Sequence, residues 1–238
     1  IAQYGADGVR VAMMLCSSAG NDLMFDDSLC EQGRNFGNKI WNAYKLVCGW
    51  SVDAAREQSE CNRLSIEWFE QRLAAAQMQI EKDFAAYRIS DALLVAYRLF
   101  WDEFSGWLLE MVKPAYGDAI DECTLKAVKS IFERLMQMLH PFMPFLTEEI
   151  WQDIAERAEG ESICVSAAKV AEEADEKLLA RFELAKEVIS AVRNVRKQKN
   201  LPNKDALTLK VIVDENYPAE YEAVITKMAN LTSVERVE

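Results

Sequence analysis

Apolar residues recur every three or four positions along most of this chain. From Ser28 to Val47 the repeat falls on Phe36, Ile40, Tyr44 and Val47, which is the spacing of one buried helix face. The pattern returns in residues 62–87, 90–114 and 121–139, and in a short segment that opens at 147. Ser90 and Thr147 are predicted to be the N-cap residues of their segments. Amphipathic helices with short connections bury their apolar faces against one another, so the pattern predicts a helical bundle.

The pattern changes after about residue 160. A long helix is predicted from Asp175 to Lys199, followed by a turn at 201–204. Residues 207–213 alternate and are rich in β-branched side chains, which indicates a strand; 218–229 form a further helix and 232–237 a second strand. The predicted fold class is therefore mainly α, with a helix bundle followed by a small α+β module.

Composition excludes several classes of protein. Half of the 238 residues are hydrophobic, which excludes an intrinsically disordered chain, and no apolar run approaches the roughly 18 residues of a membrane-spanning helix. The six cysteines are scattered without a Cys-x-x-Cys pair, so they predict reduced thiols in a cytoplasmic protein, with neither a disulfide framework nor a zinc site. A start at Ile1, without an initiator methionine, predicts a fragment of a longer protein.

Charge is distributed unevenly along the chain. The net charge of −12 argues against nucleic-acid binding by the whole surface. Residues 141–180 hold ten acids and three bases, whereas residues 181–210 hold eight bases and three acids. Within the basic stretch Arg193, Arg196 and Lys197 are predicted to contact an RNA backbone. The alternative is a solvated helix face that pairs with the acidic stretch before it.

No catalytic residue is predicted. His140 is the only histidine and precedes Pro141, which favours a helix-ending residue over a general base or a metal ligand. No glycine-rich phosphate loop is present. The chain is therefore predicted to contain no catalytic, cofactor-binding or metal-binding residues.

Three motifs resemble those of a known family. They are YGADGVR at 4–10, GRNFGNKIWNA at 33–43 and LHPFMPFLTEEIW at 139–151. In this order they resemble the class I aminoacyl-tRNA synthetases that act on valine, isoleucine and leucine. The Arg34-Asn35-Phe36 form and the stretch Ala19-Gly20-Asn21-Asp22 favour the valine-specific members. One departure is that 104–110 has Gly and Leu where the family usually has Asp and Tyr, so no RNA role is assigned there.

The resemblance implies a division of the chain and a partner. Residues 1–27 would be a linker from the catalytic domain, 28–158 the anticodon-binding bundle and 159–238 a C-terminal α+β junction module. ATP would bind in the catalytic domain, which with the editing domain would lie outside this chain, leaving a monomeric fragment inactive on its own. The partner would be tRNA.

The resemblance also favours RNA contacts on the first bundle helix. Its polar residues are Arg34, Asn38, Lys39, Asn42 and Lys45, and no acid occurs from Arg34 to Leu46. Trp50, in the loop beyond, is predicted to stack on a base. A solvated polar face and a Trp50 lid over the bundle are the alternatives. Two alternatives stay open: the chain could be the same region of the isoleucine-specific enzyme, or it could be a helical scaffold module.

Overall fold

The computed structural model describes residues 1–17, 25–167, 173–212 and 216–237. The Ala19–Asp22 stretch of the resemblance and Val213, the last residue of the predicted strand, lie outside the described residues.

Helices make up most of the described chain, which confirms the predicted fold class. They are α1 (Gly5–Cys16), α2 (Asp27–Cys48), α3 (Glu60–Ala85), α4 (Ile89–Arg98), a π-helical segment (Leu99–Leu108), α5 (Leu109–Val112), α6 (Glu122–Leu139), α7 (Pro144–Ile154), α8 (Glu176–Gln198) and α9 (Glu222–Met228). Short 3₁₀ turns occur at Ile163–Val165 and Ala219–Tyr221. α4, the π-helical segment and α5 follow one another without a break, and the segment 104–110, to which no RNA role was assigned, lies in this run.

The strands form two small parallel sheets. β1 (Val52–Asp53) pairs with β2 (Ile120–Asp121), and β3 (Leu207–Ile212) pairs with β4 (Leu231–Val237). The predicted strands correspond to β3 and β4, whose pairing contains one irregularity after Leu207. α9 lies between them in the chain and supplies the crossover that a parallel pair requires. The pair β1–β2 was not predicted, since two-residue strands carry no periodic signal.

Side-chain caps fix the start of several helices. Asp26, Ser59, Asp121 and Asp175 accept hydrogen bonds from backbone N–H groups in the first turns of α2, α3, α6 and α8. The N-cap predictions for Ser90 and Thr147 are wrong, because α4 already begins at Ile89 and α7 at Pro144.

Both hydroxyl groups instead bind backbone carbonyl oxygens, that of Ser90 in a distant segment and that of Thr147 in the preceding turn. The Ser90 hydroxyl lies 2.7 Å from the carbonyl oxygens of both Met14 and Ser17, at the end of α1. The buried Thr147 hydroxyl lies 2.8 Å from the Met143 carbonyl oxygen, one turn back in the chain.

The bundle core is built around aromatic side chains. Phe36 of α2, Phe100 and Phe104 of the π-helical segment and Phe132 of α6 are fully buried. The Phe104 and Phe132 ring centroids are 5.3 Å apart in an edge-to-face arrangement, and those of Phe36 and Phe100 are 5.9 Å apart. These contacts fix α2 against the middle of the bundle and so decide which of its residues face outward.

α8 joins the α+β module to the bundle. Phe182 stacks on Trp68 of α3 at 4.4 Å and meets Tyr221 edge-on at 4.9 Å. Lys186 is buried, and its ammonium group lies 2.8 Å from the Glu103 carboxylate and 4.8 Å from the Trp68 ring centre. A buried charge requires such compensation, so this network fixes α8 against α3 and the π-helical segment.

α1 packs against α2 and α7 through the three motifs of the resemblance. A Cβ atom on Gly33 would lie 2.4 Å from the Gly8 carbonyl oxygen, so the two backbones can approach this closely only because both residues lack a side chain. The Asp7 carboxylate accepts hydrogen bonds from the backbone N–H groups of Phe145 and Leu146 in the first turn of α7. Arg10 donates to carbonyl oxygens just before α7. The motifs at 4–10, 33–43 and 139–151 therefore meet in one junction.

Candidate nucleic-acid interface

From Arg34 to Lys45, α2 presents a polar face without acidic side chains. Asn38, Asn42 and Lys45 are exposed, whereas Phe36 and Tyr44 of the same helix are buried. Positions 38, 42 and 45 are four and three residues apart, so they follow one side of the helix. The predicted division of α2 into an inner and an outer face is therefore the one observed.

The other two cations of α2 have partners inside the protein. Arg34 lies one turn before Asn38, and its guanidinium group is 3.2 Å from the Glu31 carboxylate and 5.5 Å from the Tyr4 ring centre. Lys39 is half-buried, and its ammonium group lies 5.0 Å from the ring centre of Trp101. Arg34 thus continues the polar face with part of its charge neutralised, and Lys39 lies to one side.

A groove lies at the Arg34 end of this face, where α1, α2 and α7 meet. It has a volume of about 290 Å³, and its lining includes Tyr4, Arg34, Asn38, Trp41 and Phe145. The Phe145 side chain is 67% exposed although it is large and apolar. An exposed ring beside amide and guanidinium groups is a suitable surface for stacking a splayed base.

A second groove lies at the other end of α2. It has a volume of about 460 Å³, and its lining includes Lys45, Trp50, Lys113 and Tyr116. Trp50 is half-buried and packs against the core on one side, while Tyr116 is fully exposed. Lys45 is 11 residues from Arg34, so these two residues lie roughly 16 Å apart along the helix axis. The nearest α2 residues of the two linings, Trp41 and Lys45, are one helical turn apart.

Sequence analysis missed four of these lining residues. Tyr4, Lys113, Tyr116 and Phe145 approach α2 only in the folded chain. For Tyr116 a signal exists, because it lies between Pro114 and Gly117 in a loop, where helix packing does not account for an aromatic residue. Trp50 was selected on the same kind of argument.

The three residues of α8 that were predicted to contact RNA, Arg193, Arg196 and Lys197, differ in their surroundings. Arg193 and Lys197 are exposed and line a cleft of about 630 Å³ between α8, α9 and the loop after α8. The Arg193 guanidinium group donates to the Met228 carbonyl oxygen at 3.1 Å. The described linings of this cleft and of the two α2 grooves share no residue.

Arg196 is only 3% exposed and lies within the α+β module. Its guanidinium group donates to four backbone carbonyl oxygens at 2.8–3.1 Å, which belong to Pro202, Asp205, Ala229 and Asn230. These bonds connect the end of α8 with the loop before β3 and the turn before β4. Any contact between Arg196 and a phosphate would have to replace them.

Residues 67–213 match the family model described as the anticodon-binding domain of tRNA ligase. The chain belongs to this family. The matched range begins within α3, so α1 and α2 lie before it.

Several relatives that match the anticodon-binding chain over its full length are valine–tRNA ligases. That of Parabacteroides distasonis is 50% identical over 238 residues, and that of Phocaeicola vulgatus is 52% identical over 238 residues. Each match covers 100% of this chain and 27% of the relative. The valine–tRNA ligase of Fusobacterium nucleatum is 33% identical over 97% of the chain and 28% of its own length. The chain thus spans about a quarter of the length of the curated relatives it matches, and the predicted resemblance is confirmed.

One group in the described part of this anticodon-binding chain offers three metal-ligand atoms. His140, Glu148 and Cys164 each contribute one, and these atoms all lie within 4.8 Å of one another. His140 is the C-cap residue directly after α6, which agrees with the predicted helix end, but its ring contacts Thr147 and Cys164.

The charge states of His140 and Glu148 follow from their surroundings. Partial burial lowers the pKa of His140, which keeps its imidazole neutral at pH 7. Partial burial acts to raise the pKa of Glu148, but hydrogen bonds from Gln152, Ser162 and the Ile163 backbone hold it below its usual value. A neutral imidazole, a carboxylate and a thiol therefore meet at this point.

None of the helices in the described ranges combines the length and apolar character needed to cross a lipid bilayer.

Proposed function

We propose that this chain binds the anticodon stem-loop of a tRNA and positions it for a valine–tRNA ligase. The observation that carries the proposal is the outward polar face of α2 from Arg34 to Lys45, which holds no acidic residue and has an aromatic-lined groove at each end. Membership of the anticodon-binding family and similarity to valine–tRNA ligases support it.

The α2 face offers the contacts that single-stranded RNA loops require. Splayed bases stack on aromatic rings and form hydrogen bonds through their edges. Trp50 and Tyr116 supply ring surface in one groove and Phe145 in the other. Asn38, in the lining of the first groove, and Asn42, one turn further along α2, carry amides that donate and accept hydrogen bonds. Lys45, with its ammonium group 5.5 Å from the Trp41 ring centre, is suited to a phosphate.

The remaining predicted RNA residues divide by exposure. Arg193 and Lys197 are proposed to neutralise phosphates of the tRNA backbone, without reading bases. Arg196 is proposed to organise the α+β module instead, because its two terminal guanidinium nitrogens already donate to four carbonyl oxygens. Arg34 and Lys39 are proposed to act at the border of the α2 face, since both are half-buried whereas Lys45 is exposed, and Arg34 is also paired with Glu31.

The activity of the whole enzyme is part of the proposal. The ligase would attach valine to its tRNA with ATP, in domains outside this chain, and would act in the cytoplasm as a monomer. Residues 1–27 would lead from the catalytic domain, 28–158 would hold the anticodon and 159–238 would form a junction module. Anticodon contacts of this kind raise kcat/KM by holding the acceptor end in productive geometry.

A tRNA titration of the 238-residue chain tests the proposal. We expect binding that weakens about tenfold in Asn42→Ala/Lys45→Ala, because two polar contacts together contribute on the order of 1.4 kcal/mol. Lys126→Ala is the matched control, since Lys126 is an exposed lysine on α6 that pairs with Glu122. We expect it to leave the affinity unchanged.

Two results would contradict the proposal. Failure to bind any tRNA would favour the scaffold alternative, and equal losses in the α2 variant and in Lys126→Ala would indicate attraction by charge alone. In a full-length enzyme that contains this chain, charging of tRNA with isoleucine instead of valine would favour the isoleucine-specific alternative.

A further inference from the structure

We propose that His140, Glu148 and Cys164 form a binding site for a divalent transition-metal ion, with Zn²⁺ the best match to the three donors. The site is independent of the RNA-binding proposal and reverses the sequence prediction that the chain holds no metal ligand. Its three ligands come from three consecutive elements, which are the end of α6, the second turn of α7 and the 3₁₀ turn Ile163–Val165.

The separations suit a tetrahedral ion. His140 Nε2 lies 3.1 Å from Cys164 Sγ, and all three ligand atoms lie within 4.8 Å of one another. Zn²⁺ binds nitrogen, oxygen and sulfur at about 2.0–2.3 Å, which places the ligand atoms of a tetrahedral site about 3.5 Å apart. An ion can therefore be accommodated by small side-chain movements. Cys164 is exposed, so the ion has access from solvent.

A hydrogen bond fixes the histidine in the ligating tautomer. Thr147 Oγ1 lies 2.8 Å from the Met143 carbonyl oxygen and 2.8 Å from His140 Nδ1. The hydroxyl has one proton and donates it to the carbonyl, so it accepts from Nδ1–H. The lone pair of Nε2 consequently faces Cys164. Histidine ligands of metal ions usually donate their second ring N–H to an oxygen atom in this way.

Hydrogen bonds also orient the carboxylate. Glu148 Oε1 accepts from Gln152 at 2.7 Å, and Oε2 accepts from the Ser162 hydroxyl at 2.7 Å. The Ile163 backbone N–H approaches Oε1 at 3.4 Å. Glu148 is therefore held toward the segment that contains Cys164.

The donor set distinguishes between metals. One thiolate, one imidazole and one carboxylate suit Zn²⁺ and its spectroscopic substitute Co²⁺, whereas Mg²⁺ and Ca²⁺ prefer oxygen ligands alone. Three protein ligands leave the fourth position to water. Cys164 is 24 residues from His140, so a bound ion would fasten the segment after α7 to the bundle.

Co²⁺ titration of the metal-free 238-residue chain is the test. We expect one ion per chain and a thiolate-to-cobalt charge-transfer band in the near ultraviolet, which Zn²⁺ removes by displacement. Cys164→Ser should abolish the band, and His140→Gln and Glu148→Gln should each weaken binding at least tenfold. Cys123→Ser is the matched control, because Cys123 is an exposed cysteine on α6 away from the cluster, and the band should remain.

Melting temperatures with and without Zn²⁺ show whether a variant has lost the metal site or has failed to fold. Zn²⁺ should raise the melting temperature of the unmodified chain and of Cys123→Ser, but not of Cys164→Ser. Thr147→Val, which removes the oxygen that orients His140, should weaken Co²⁺ binding about 10- to 100-fold. The proposal is overturned if no stoichiometric ion binds, if the band survives in Cys164→Ser, or if Cys123→Ser removes it.

Discussion

The backbone contact between Gly8 and Gly33 can be tested by adding a single methyl group. In Gly33→Ala the new Cβ atom would lie 2.4 Å from the Gly8 carbonyl oxygen and 3.0 Å from two further backbone atoms of Gly8. No rotamer change relieves an overlap with backbone, so α1 has to move away from α2. Gly37, one turn further along α2, is the matched control. Its Cβ atom would meet only the ends of two flexible side chains, at 3.4 and 3.6 Å.

Both substitutions gain the same stability from helix propensity, but only Gly33→Ala has a large cost from overpacking. Replacing a glycine by alanine inside a helix contributes about 1 kcal/mol of stability at either position. Overpacking costs about 1–3 kcal/mol, and contact with rigid backbone places Gly33→Ala at the upper end. We therefore expect Gly33→Ala to lower the free energy of unfolding by about 2 kcal/mol and Gly37→Ala to raise it by up to about 1 kcal/mol.

Urea unfolding followed by far-ultraviolet circular dichroism measures both values, with the denaturant dependence checked for each variant. Gly8→Ala should have an intermediate stability, because its Cβ atom would lie 3.1 Å from the Arg34 backbone nitrogen. The expected order of stability is Gly37→Ala, then Gly8→Ala, then Gly33→Ala. If Gly33→Ala proves as stable as Gly37→Ala, α1 does not pack on α2 as described.

Three further predictions concern other parts of the chain. Trp50→Ala should weaken tRNA binding by about 1–3 kcal/mol, the contribution of one stacked base; a melting temperature that falls while affinity per folded molecule stays constant would make Trp50 a lid. Arg193→Ala/Lys197→Ala should reduce the slope of log K for tRNA binding against log salt by about 0.7 per lost contact, and an unchanged slope would assign both residues to a solvated face. Arg196→Met should instead lower the melting temperature, because it leaves four carbonyl oxygens without their hydrogen-bond donor. Burial and a carboxylate hydrogen bond raise the pKa of Tyr44 above 10.0, so its contribution to stability persists below pH 10 and is lost as the pH rises further. Unfolding experiments at pH 8 and pH 10.5 should show this loss in the unmodified chain and a smaller one in Tyr44→Phe.

Much of the helical architecture could be predicted because its signals are local. α2 was expected over residues 28–47 and is observed at Asp27–Cys48, since a cap residue and an apolar repeat both lie within the segment. The strand at Leu207–Ile212 was predicted from its own alternation. The N-cap prediction for Ser90 was wrong because its contacts are not local, since its hydroxyl binds carbonyl groups more than 70 residues away.

The candidate interface could be predicted only in part. Helical spacing correctly separated the outward Asn38 and Lys45 from the buried Phe36 of α2. The same spacing could not distinguish Arg196 from Arg193, since the carbonyl groups that bury Arg196 lie up to 34 residues further along the chain. A cationic helix face therefore indicates which side chains can reach a phosphate only after the partners of each one are known.

The attachment of α1 has a mechanical consequence. α1 is held at three separate points, by the Gly8–Gly33 backbone contact, by the Asp7 carboxylate on α7 and by the Arg10 guanidinium group on the loop before α7. A helix attached at a single point could rotate about that point, but α1 cannot move without breaking one of its three contacts or displacing α2 and α7. Tyr4, next to the start of α1, forms part of the wall of the groove beside Arg34. A force that pulls on α1 is therefore transmitted to that wall as a displacement of the groove.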